Sequence, residues 1–388
     1  MYTRLLKKPI LLDRSFFLFG PRGTGKTTWL NEHFGSAMGA LRIDLLNGDL
    51  YTELLARPHR IDTLIGTNHS GWVVLDEVQR VPALLNEVHR LIESRGLRFV
   101  LTGSSARSLR KKGVNLLGGR ALTFYMHPLV AEELGAEFNL DRALRFGQLP
   151  SVPGNPDPHQ YLKSYVQSYL REEVQQEGLA RNLANFTRFL EIASFSQGSP
   201  VNVAEIARET GVDRKVVDSY FGILDDLMIG IRLPVFTKRA KRRLIAHPKF
   251  YFFDAGVYRA IRPRGPLDTP EEAEGAALET LFLQELRAIN DALGLEYELS
   301  YWRTADGHEV DFVLYGPGGL YGIEVKRSSR YTRADLKGLR AFKADYPMAK
   351  VFLFYGGEHV RQEEGVQILP LTYALTHLSQ IVKGEEKG

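Results

Sequence analysis

Cysteine is absent from all 388 residues. That excludes disulfides and thiolate-held metal or redox centres, and makes a reducing, cytoplasmic setting the expected one. Long apolar runs are missing too. None approaches the roughly 18 residues a membrane-spanning helix needs, so no membrane partner is expected. The opening stretch MYTRLLKKPILLDRSFFLFG is basic and apolar, but Asp13 and Arg14 interrupt it and no small-residue cleavage site follows. It therefore does not read as a secretion signal. Internal repeats and long low-complexity segments are lacking. Charge of one sign is scarce as well: a net +4 and a pI of about 9.0 favour a polyanion only mildly.

What remains is an ordinary globular composition, 44% hydrophobic and 25% charged. The length exceeds one compact core and predicts two or three domains. In residues 1–150, SFFLFG, ALRIDL, WVVLDE, RFVLTG and ALTFYM are near-continuous apolar runs separated by helical patterns. That alternation predicts an α/β domain with a parallel sheet covered on both faces. GQLPSVPGNPDPHQ, residues 147–160 with four prolines, marks a boundary. Residues 151–262 read as a second, mostly helical domain. VNVAEIARETGVDRKVVDSYFGILDDL gives two amphipathic helices around Gly211, and IRLPVFT and KFYFFD supply two strands of a wing. RPRGPLDTP opens a third, α/β domain over residues 263–388.

GPRGTGKTT, from Gly20 to Thr28, follows an apolar strand and opens a helix. This context predicts a phosphate loop in which Gly20, Pro21, Arg22, Gly23, Thr24, Gly25, Lys26, Thr27 and Thr28 surround ATP phosphates. Lys26 would reach the β- and γ-phosphates and Thr27 would ligate Mg²⁺. Asp76 and Glu77 end the run WVVLDE, at the strand end where ligands of open α/β sheets bind. Asp76 is expected to hold Mg²⁺ from behind, and Glu77 to orient the attacking water as a base. Ser104 is the first choice to sense the γ-phosphate, with Ser105 a close second and a plain helix cap the competing role. Arg120, just before the fifth strand, is the expected finger for a neighbouring subunit's nucleotide, with Arg107 and Arg110 as competitors.

On these motifs residues 1–150 resemble the ATPase domain of AAA+-type P-loop proteins. With LLGGRALTFYMHPLVAEEL and PKFYFFDAGVYRAI added, the whole chain resembles a widespread family of prokaryotic AAA-like ATPases with a C-terminal DUF4143 domain. The resemblance implies ATP and Mg²⁺ as cofactors and an oligomer, a hexameric ring being one form.

GHEVDFVLYGPGGLYGIEVKRSS puts carboxylates and a lysine on two apolar strands joined by a Gly/Pro turn. Strict alternation predicts Glu309, Asp311 and Val313 on one face and Val310, Phe312 and Leu314 on the other. A hairpin would then gather Asp311, Glu324 and Lys326 beside each other, opposite a buried apolar face. The spacing D-x₁₂-E-x-K on strand, turn and strand resembles the PD-(D/E)XK nuclease-like fold. That resemblance implies a metal held by Asp311 and Glu324, water activated by Lys326, and a further acid on a preceding helix. Glu279 is first choice for this acid and Glu285 second. The literal PD is absent, since Val310 precedes Asp311. A solvated Glu-Lys ladder on an edge hairpin is the plain alternative.

DNA is the expected partner. Arg214 and Lys215 open the second helix of the helix-turn-helix pattern, and the run KRAKRR (238–243) suits backbone phosphates better, because Asp218, Asp225 and Asp226 follow the first pair. Two functions compete. One is a Mg-dependent ATPase ring that processes DNA, branched DNA included. The other is an ATP-dependent binding switch whose third domain only docks.

Overall fold

The computed structural model describes residues 2–35, 39–104, 117–170, 174, 182–239, 242, 244, 247–263, 265 and 270–385. The N-terminal sheet is formed by β1 (Phe16–Phe19), β2 (Leu41–Asp44), β3 (Trp72–Asp76), β4 (Arg98–Gly103) and β5 (Leu122–Tyr125). All pairs are parallel and the order is β2-β3-β4-β1-β5. Successive side chains of β1 show why its run is continuously apolar. Phe17 and Phe19 enter one core with Val73, Leu75, Phe99 and Leu101. Phe16 and Leu18 enter another with Trp29, Val74 and Val100. The first core is roofed by α4 (Leu84–Arg95), which follows α2 (Gly48–Ala56) and α3 (Arg60–Ile65); α1 (Lys26–His33) covers the second.

A one-turn α5 (Ala131–Leu134), then α6 (Leu140–Phe146) and α7 (Pro158–Ser164), lead into a π-helical turn, Tyr165–Leu170. Next come α8 (Leu183–Phe195), α9 (Val203–Thr210) and α10 (Arg214–Asp226). Gly211 makes the turn between α9 and α10 at φ 72, and Asn202 and Asp213 cap the two helices with their side chains. The expected antiparallel strands are present as β7 (Gly230–Leu233) and β8 (Lys249–Phe252). The two-residue β6 (Ser199–Pro200) completes the small sheet and was too short to read from sequence.

After α11 (Ala255–Ile261) and the long α12 (Pro270–Leu293), a mixed six-stranded sheet is built. It comprises β9 (Glu298–Arg303), β10 (Glu309–Gly316), β11 (Gly319–Lys326), β12 (Lys350–Tyr355), β13 (Arg361–Glu363) and β14 (Val366–Pro370), ordered β13-β14-β12-β11-β10-β9. α12 packs on one face and α13 (Lys337–Asp345) on the other; α14 (Leu371–Thr376) and α15 (Leu378–Lys383) close the chain's described part. One apolar core runs without a break from Ala131 to Val382, so α12 is shared by the middle and C-terminal parts. Among the described residues, no helix is long and apolar enough to cross a membrane.

Two expectations about the hairpin are corrected. Its register shifts between Val310 and Val313 against β9, a β-bulge that breaks strict alternation. Val310 and Val313 therefore share one core with Leu339 and Phe342, while Phe312 and Leu314 join the other. The hairpin is also central in the sheet and covered on both faces, which rules out a solvated edge ladder.

The fold contains one buried acid with a readable consequence. Asp254 is fully buried and accepts hydrogen bonds from the Gln148 and Val257 amides, at 2.8 and 2.9 Å. Burial pushes its pKa up to about 6. Its folded value lies above its unfolded value, so its contribution to stability is complete below about pH 4 and is lost as pH rises through 6. Asp254→Asn is expected to lower stability by losing one amide partner, yet to flatten its pH dependence between pH 4 and 7. A shift of this size corresponds to about 3 kcal/mol across the window. Urea midpoints at several pH values read it; parallel curves for the two proteins would show that Asp254 does not titrate there.

Candidate functional site

The phosphate loop hangs between β1 and α1 and is shaped by close approach. A Cβ on Gly20 would lie 2.2 Å from the Met126 carbonyl oxygen. Gly23 and Gly25 adopt φ of 79 and 90, which favours glycine. The Thr24 hydroxyl donates to the Pro21 carbonyl at 2.8 Å. Lys26 is buried, and its ammonium donates to the Gly20 and Pro21 carbonyls at 2.7 and 3.1 Å. Thr27 and Thr28 are exposed at the start of α1, whose first amides add positive potential. A cavity of about 400 Å³ adjoins the loop, lined by Tyr2, Arg4, Gly25, Thr28, Leu129 and Pro150 among others. That volume suits a nucleoside.

The second half of the site stands on β3 and β4. Asp76 is buried, paired with Arg42 of β2, and accepts a hydrogen bond from the Thr102 hydroxyl. Glu77 follows in the left-handed region at φ 59 and ψ 46, an arrangement that costs a non-glycine residue on the order of 1 kcal/mol and recurs at functional positions. The Glu77 amide donates to the Thr102 hydroxyl at 3.3 Å. The Gln79 side-chain amide reaches both the Glu77 carboxylate and Ser104 Oγ, the latter at 3.1 Å. Ser104 is thus tied into the acidic pair's network, as a residue at the end of β4 between β1 and β3 should be. Arg42, Thr102 and Gln79 were missed. Only Gln79, two residues past Glu77, carried a signal in the sequence.

Arg120 stands before β5 and pairs with Glu93 of α4; its side chain is 38% exposed. The competing Arg107 and Arg110, and Ser105, lie outside the described residues.

The C-terminal hairpin assembles the other predicted group. Phe312 pairs with Ile323, so one step further along the register Asp311 faces Glu324. Lys326 Nζ lies 2.9 Å from Glu324 Oε1, and the Val325 amide donates to Asp311 Oδ2 at 3.0 Å. Glu279 joins from α12, its Oε2 accepting from the Tyr251 hydroxyl at 2.7 Å. The residue that sequence reasoning missed is Lys249. It comes from β8 of the small middle sheet, is 3% exposed at its side chain, and places Nζ 2.5 Å from Glu309 and 3.5 Å from Glu279. Burial alone would lower its pKa, but Glu279, Asp311 and Glu309 together raise it, so the lysine stays charged. Burial raises the pKa of Asp311 and of Glu324, and the mutual repulsion of these two acids adds to the rise at Glu324. Glu324 Oε2 is buried without a hydrogen-bond partner among the described residues. Among the described residues, however, no three His, Asp or Glu side chains are grouped to hold a metal ion. The second choice, Glu285, is elsewhere: it accepts from the Ala131 amide at 2.8 Å and caps α5.

The basic run 238–243 is partly engaged within the chain. Lys238 pairs with Glu298 of β9 and Arg242 with Asp345 of α13. Arg214 and Lys215 are exposed.

Comparison with known families agrees with this geometry. An AAA domain model matches residues 13–135, and a domain of unknown function (DUF4143) matches residues 274–374. The chain is an AAA-domain protein with a C-terminal DUF4143 domain. Between the two, a further domain of unknown function (DUF8612) matches this AAA–DUF4143 protein over residues 138–268. It is 28% identical over 362 residues to the uncharacterized protein Rv2008c of Mycobacterium tuberculosis, covering 92% of this chain and 78% of the relative. It is 23% identical over 377 residues to the uncharacterized protein MJ1544 of Methanocaldococcus jannaschii, covering 87% and 81%. Among solved structures, the Aeropyrum pernix ORC1 protein in complex with DNA aligns over 64% of this chain and 86% of its own, at 15% identity and a TM-score of 0.24. Drosophila ORC bound to DNA aligns over 60% and 83%, at 13% identity and a TM-score of 0.21.

Proposed function

We propose that this protein is a Mg²⁺-dependent, cytoplasmic ATPase that couples hydrolysis to a DNA partner, branched DNA included. The observation that carries the reading is convergence. The Gly20–Thr28 loop, Asp76, Glu77 and Ser104 come from three adjacent parallel strands and lie at their carboxyl ends. The loop amides and Lys26 bind phosphate; Thr27 and Asp76 would hold Mg²⁺, which supplies charge neutralisation at the phosphates. Glu77 orients and deprotonates the attacking water, and Ser104, held by Gln79, reports the γ-phosphate. Arg120 is exposed, at a position that suits a finger reaching a neighbouring subunit in a ring. The three-module division (1–150, 151–262 and 263–388), with a winged-helix middle, is part of this reading. So is a nuclease-like C-terminal module with Asp311, Glu324, Lys326 and Glu279 as its chemical group.

For that C-terminal group a specific observation favours the second reading, a docking module that does not cut. Lys249 occupies the acids with a fixed ammonium, and no three-carboxylate cage is formed among the described residues. Phosphate release measured with and without forked, duplex and single-stranded DNA tests the main reading. A several-fold rise with one of these substrates is expected. Equal turnover throughout would sink the coupling and leave an ATP-dependent switch. Intact DNA on a denaturing gel is expected in either case.

A further inference from the structure

The phosphate loop is held partly by residues far from it in sequence. Lys26 answers the Gly20 and Pro21 carbonyls, but two later carbonyls are engaged by other segments. The Tyr165 hydroxyl, at the end of α7, donates to the Arg22 carbonyl at 2.9 Å. Arg4 Nη1 donates to the Thr24 carbonyl at 3.4 Å, and Arg4 is itself fixed by the His127 carbonyl at 2.6 Å and by Glu133 at 3.2 Å. We propose that Tyr165 is a positioning residue of the nucleotide site: it turns the Arg22–Gly23 peptide so that its N–H faces the phosphates, and Arg4 does the same for the Thr24–Gly25 peptide. The proposal rests on the ATPase reading above and deepens it. Through Tyr165, the packing of the middle segment sets how tightly the phosphates are held.

Peptide geometry supplies the reason. In a trans peptide the C=O and the N–H that follows it point opposite ways. Holding the Arg22 oxygen on one side directs the Gly23 N–H to the other, and holding the Thr24 oxygen directs the Gly25 N–H. A phosphate loop binds only when successive amides converge on one point. Gly23 and Gly25, at φ 79 and 90, are the residues whose backbones have the least preference of their own. Each directly follows a clamped carbonyl. The two outside donors thus act where the loop's own sequence leaves the peptide plane freest.

Tyr165 is well supported for such a role. Its side chain is buried in the core that holds Leu149, Val152 and Leu162. A buried tyrosine of this kind presents an apolar body to the core and a polar tip to one partner. Tyr161, one turn earlier on α7, shares the face, with its ring 6.4 Å from that of Tyr165. A Cβ on Gly23 would lie 3.4 Å from the Tyr165 ring and 3.6 Å from the Tyr161 hydroxyl, so the two tyrosines close the outer side of the loop. The helix that carries them is anchored at its start, where Asp157 accepts from the Gln160 amide at 3.0 Å and Pro158 opens the first turn. At Tyr165 the winding widens into the π-helical turn, a form that recurs at functional positions.

Tyr165→Phe keeps the ring and removes only the donor, so it tests the hydrogen bond apart from the packing. Fluorescent N-methylanthraniloyl ATP and ADP are titrated into the full-length protein, and steady-state phosphate release gives kcat and KM. Affinity for both nucleotides is expected to fall about 3- to 10-fold, the range one lost hydrogen bond covers. KM should rise in step while kcat at saturating ATP stays within about twofold of wild type, the mark of lost uniform binding. The ratio of ATP to ADP affinity should not move, because the loop amides hold phosphates that both nucleotides carry. Tyr297→Phe is the control. Its hydroxyl donates to the Val382 carbonyl at 2.7 Å in the C-terminal part, so its loss should lower the unfolding temperature and leave nucleotide affinity alone. Wild-type affinity in Tyr165→Phe, or an equal loss in Tyr297→Phe, would overturn the positioning role and leave the ATPase reading intact. A fall in kcat at unchanged affinity, or a loss confined to ATP, would overturn it too, by placing Tyr165 at the hydrolytic step or the γ-phosphate. Wild type that neither binds ATP nor releases phosphate would overturn the ATPase reading itself, and the proposal with it.

Discussion

Glu77→Gln is expected to lower ATP hydrolysis by about 10²- to 10⁴-fold, the usual contribution of a positioned general base, with ATP affinity little changed. The geometry gives the reason. Asp76 is held in place by Arg42 on one carboxylate oxygen and Thr102 on the other. Glu77 stands one residue further, turned by its left-handed backbone and steered by the Gln79 amide, which simultaneously holds Ser104. Gln79→Ala should therefore lower turnover by a smaller factor, by freeing the carboxylate to wander, and Gln79→Glu by more, through repulsion. Lys26→Ala, which loses the ammonium that reaches the phosphates, sets the background and should abolish nucleotide binding. Single-turnover phosphate release at saturating ATP is the measurement. Unchanged turnover in Glu77→Gln, above the Lys26→Ala background, would mean that another group orients the water.

The nucleotide half of this molecule was legible because its signals are local. A phosphate loop needs glycines at fixed spacing, one lysine and one threonine, and the strand before it must be apolar on both faces. SFFLFG and Gly20–Thr28 satisfy these needs in one continuous stretch, and WVVLDE ends in its acidic pair just as locally. Arg42 and Thr102 were not legible for the opposite reason. Each reaches Asp76 across strand neighbours fixed only by the order β2-β3-β4-β1, and an arginine in ALRIDL or a threonine in RFVLTG looks like any other.

The C-terminal group shows where pattern reading stops. Period-2 alternation brought Asp311, Glu324 and Lys326 together correctly, because the pairing of β10 with β11 is regular through Ile323. It failed on the other side of β10, where one extra residue is absorbed against β9, and no residue type in EVDFV announces that bulge. It also gave no hint of Lys249. That lysine is about sixty positions before the strands and opens KFYFF, a run whose other members are plainly core. A buried lysine in an apolar strand becomes meaningful only when the carboxylates it faces are known.

Lys249→Met is expected to be among the most destabilising single changes in the chain, by about 3–5 kcal/mol. It removes one partner of a buried ionic group and leaves the others uncompensated. Glu309 and Glu279 lose their ammonium at 2.5 and 3.5 Å, and Asp311 loses a nearby positive charge. Arg303, 3.3 Å from Glu309 and on the outer strand, answers only part of that loss. The sign of the pH dependence follows. Without Lys249 the Glu279 and Asp311 carboxyls, already raised by burial, are pushed still higher, so their protonation as pH falls relieves the repulsion. The gap between variant and wild type should therefore narrow on going from pH 8 to pH 5. Thermal unfolding across that range reads it, and the double variant Lys249→Met/Glu309→Gln should recover part of the loss, since the two groups are in contact. The same variant decides what the C-terminal group is for. If Lys249 stands in for a cation, Mn²⁺ or Mg²⁺ at millimolar concentration should raise the unfolding temperature of Lys249→Met and leave wild type unmoved. A wild-type protein that is itself stabilised by the ion, and nicks DNA in its presence, would mean that the acids are open to metal despite Lys249, and that the nuclease reading is the right one.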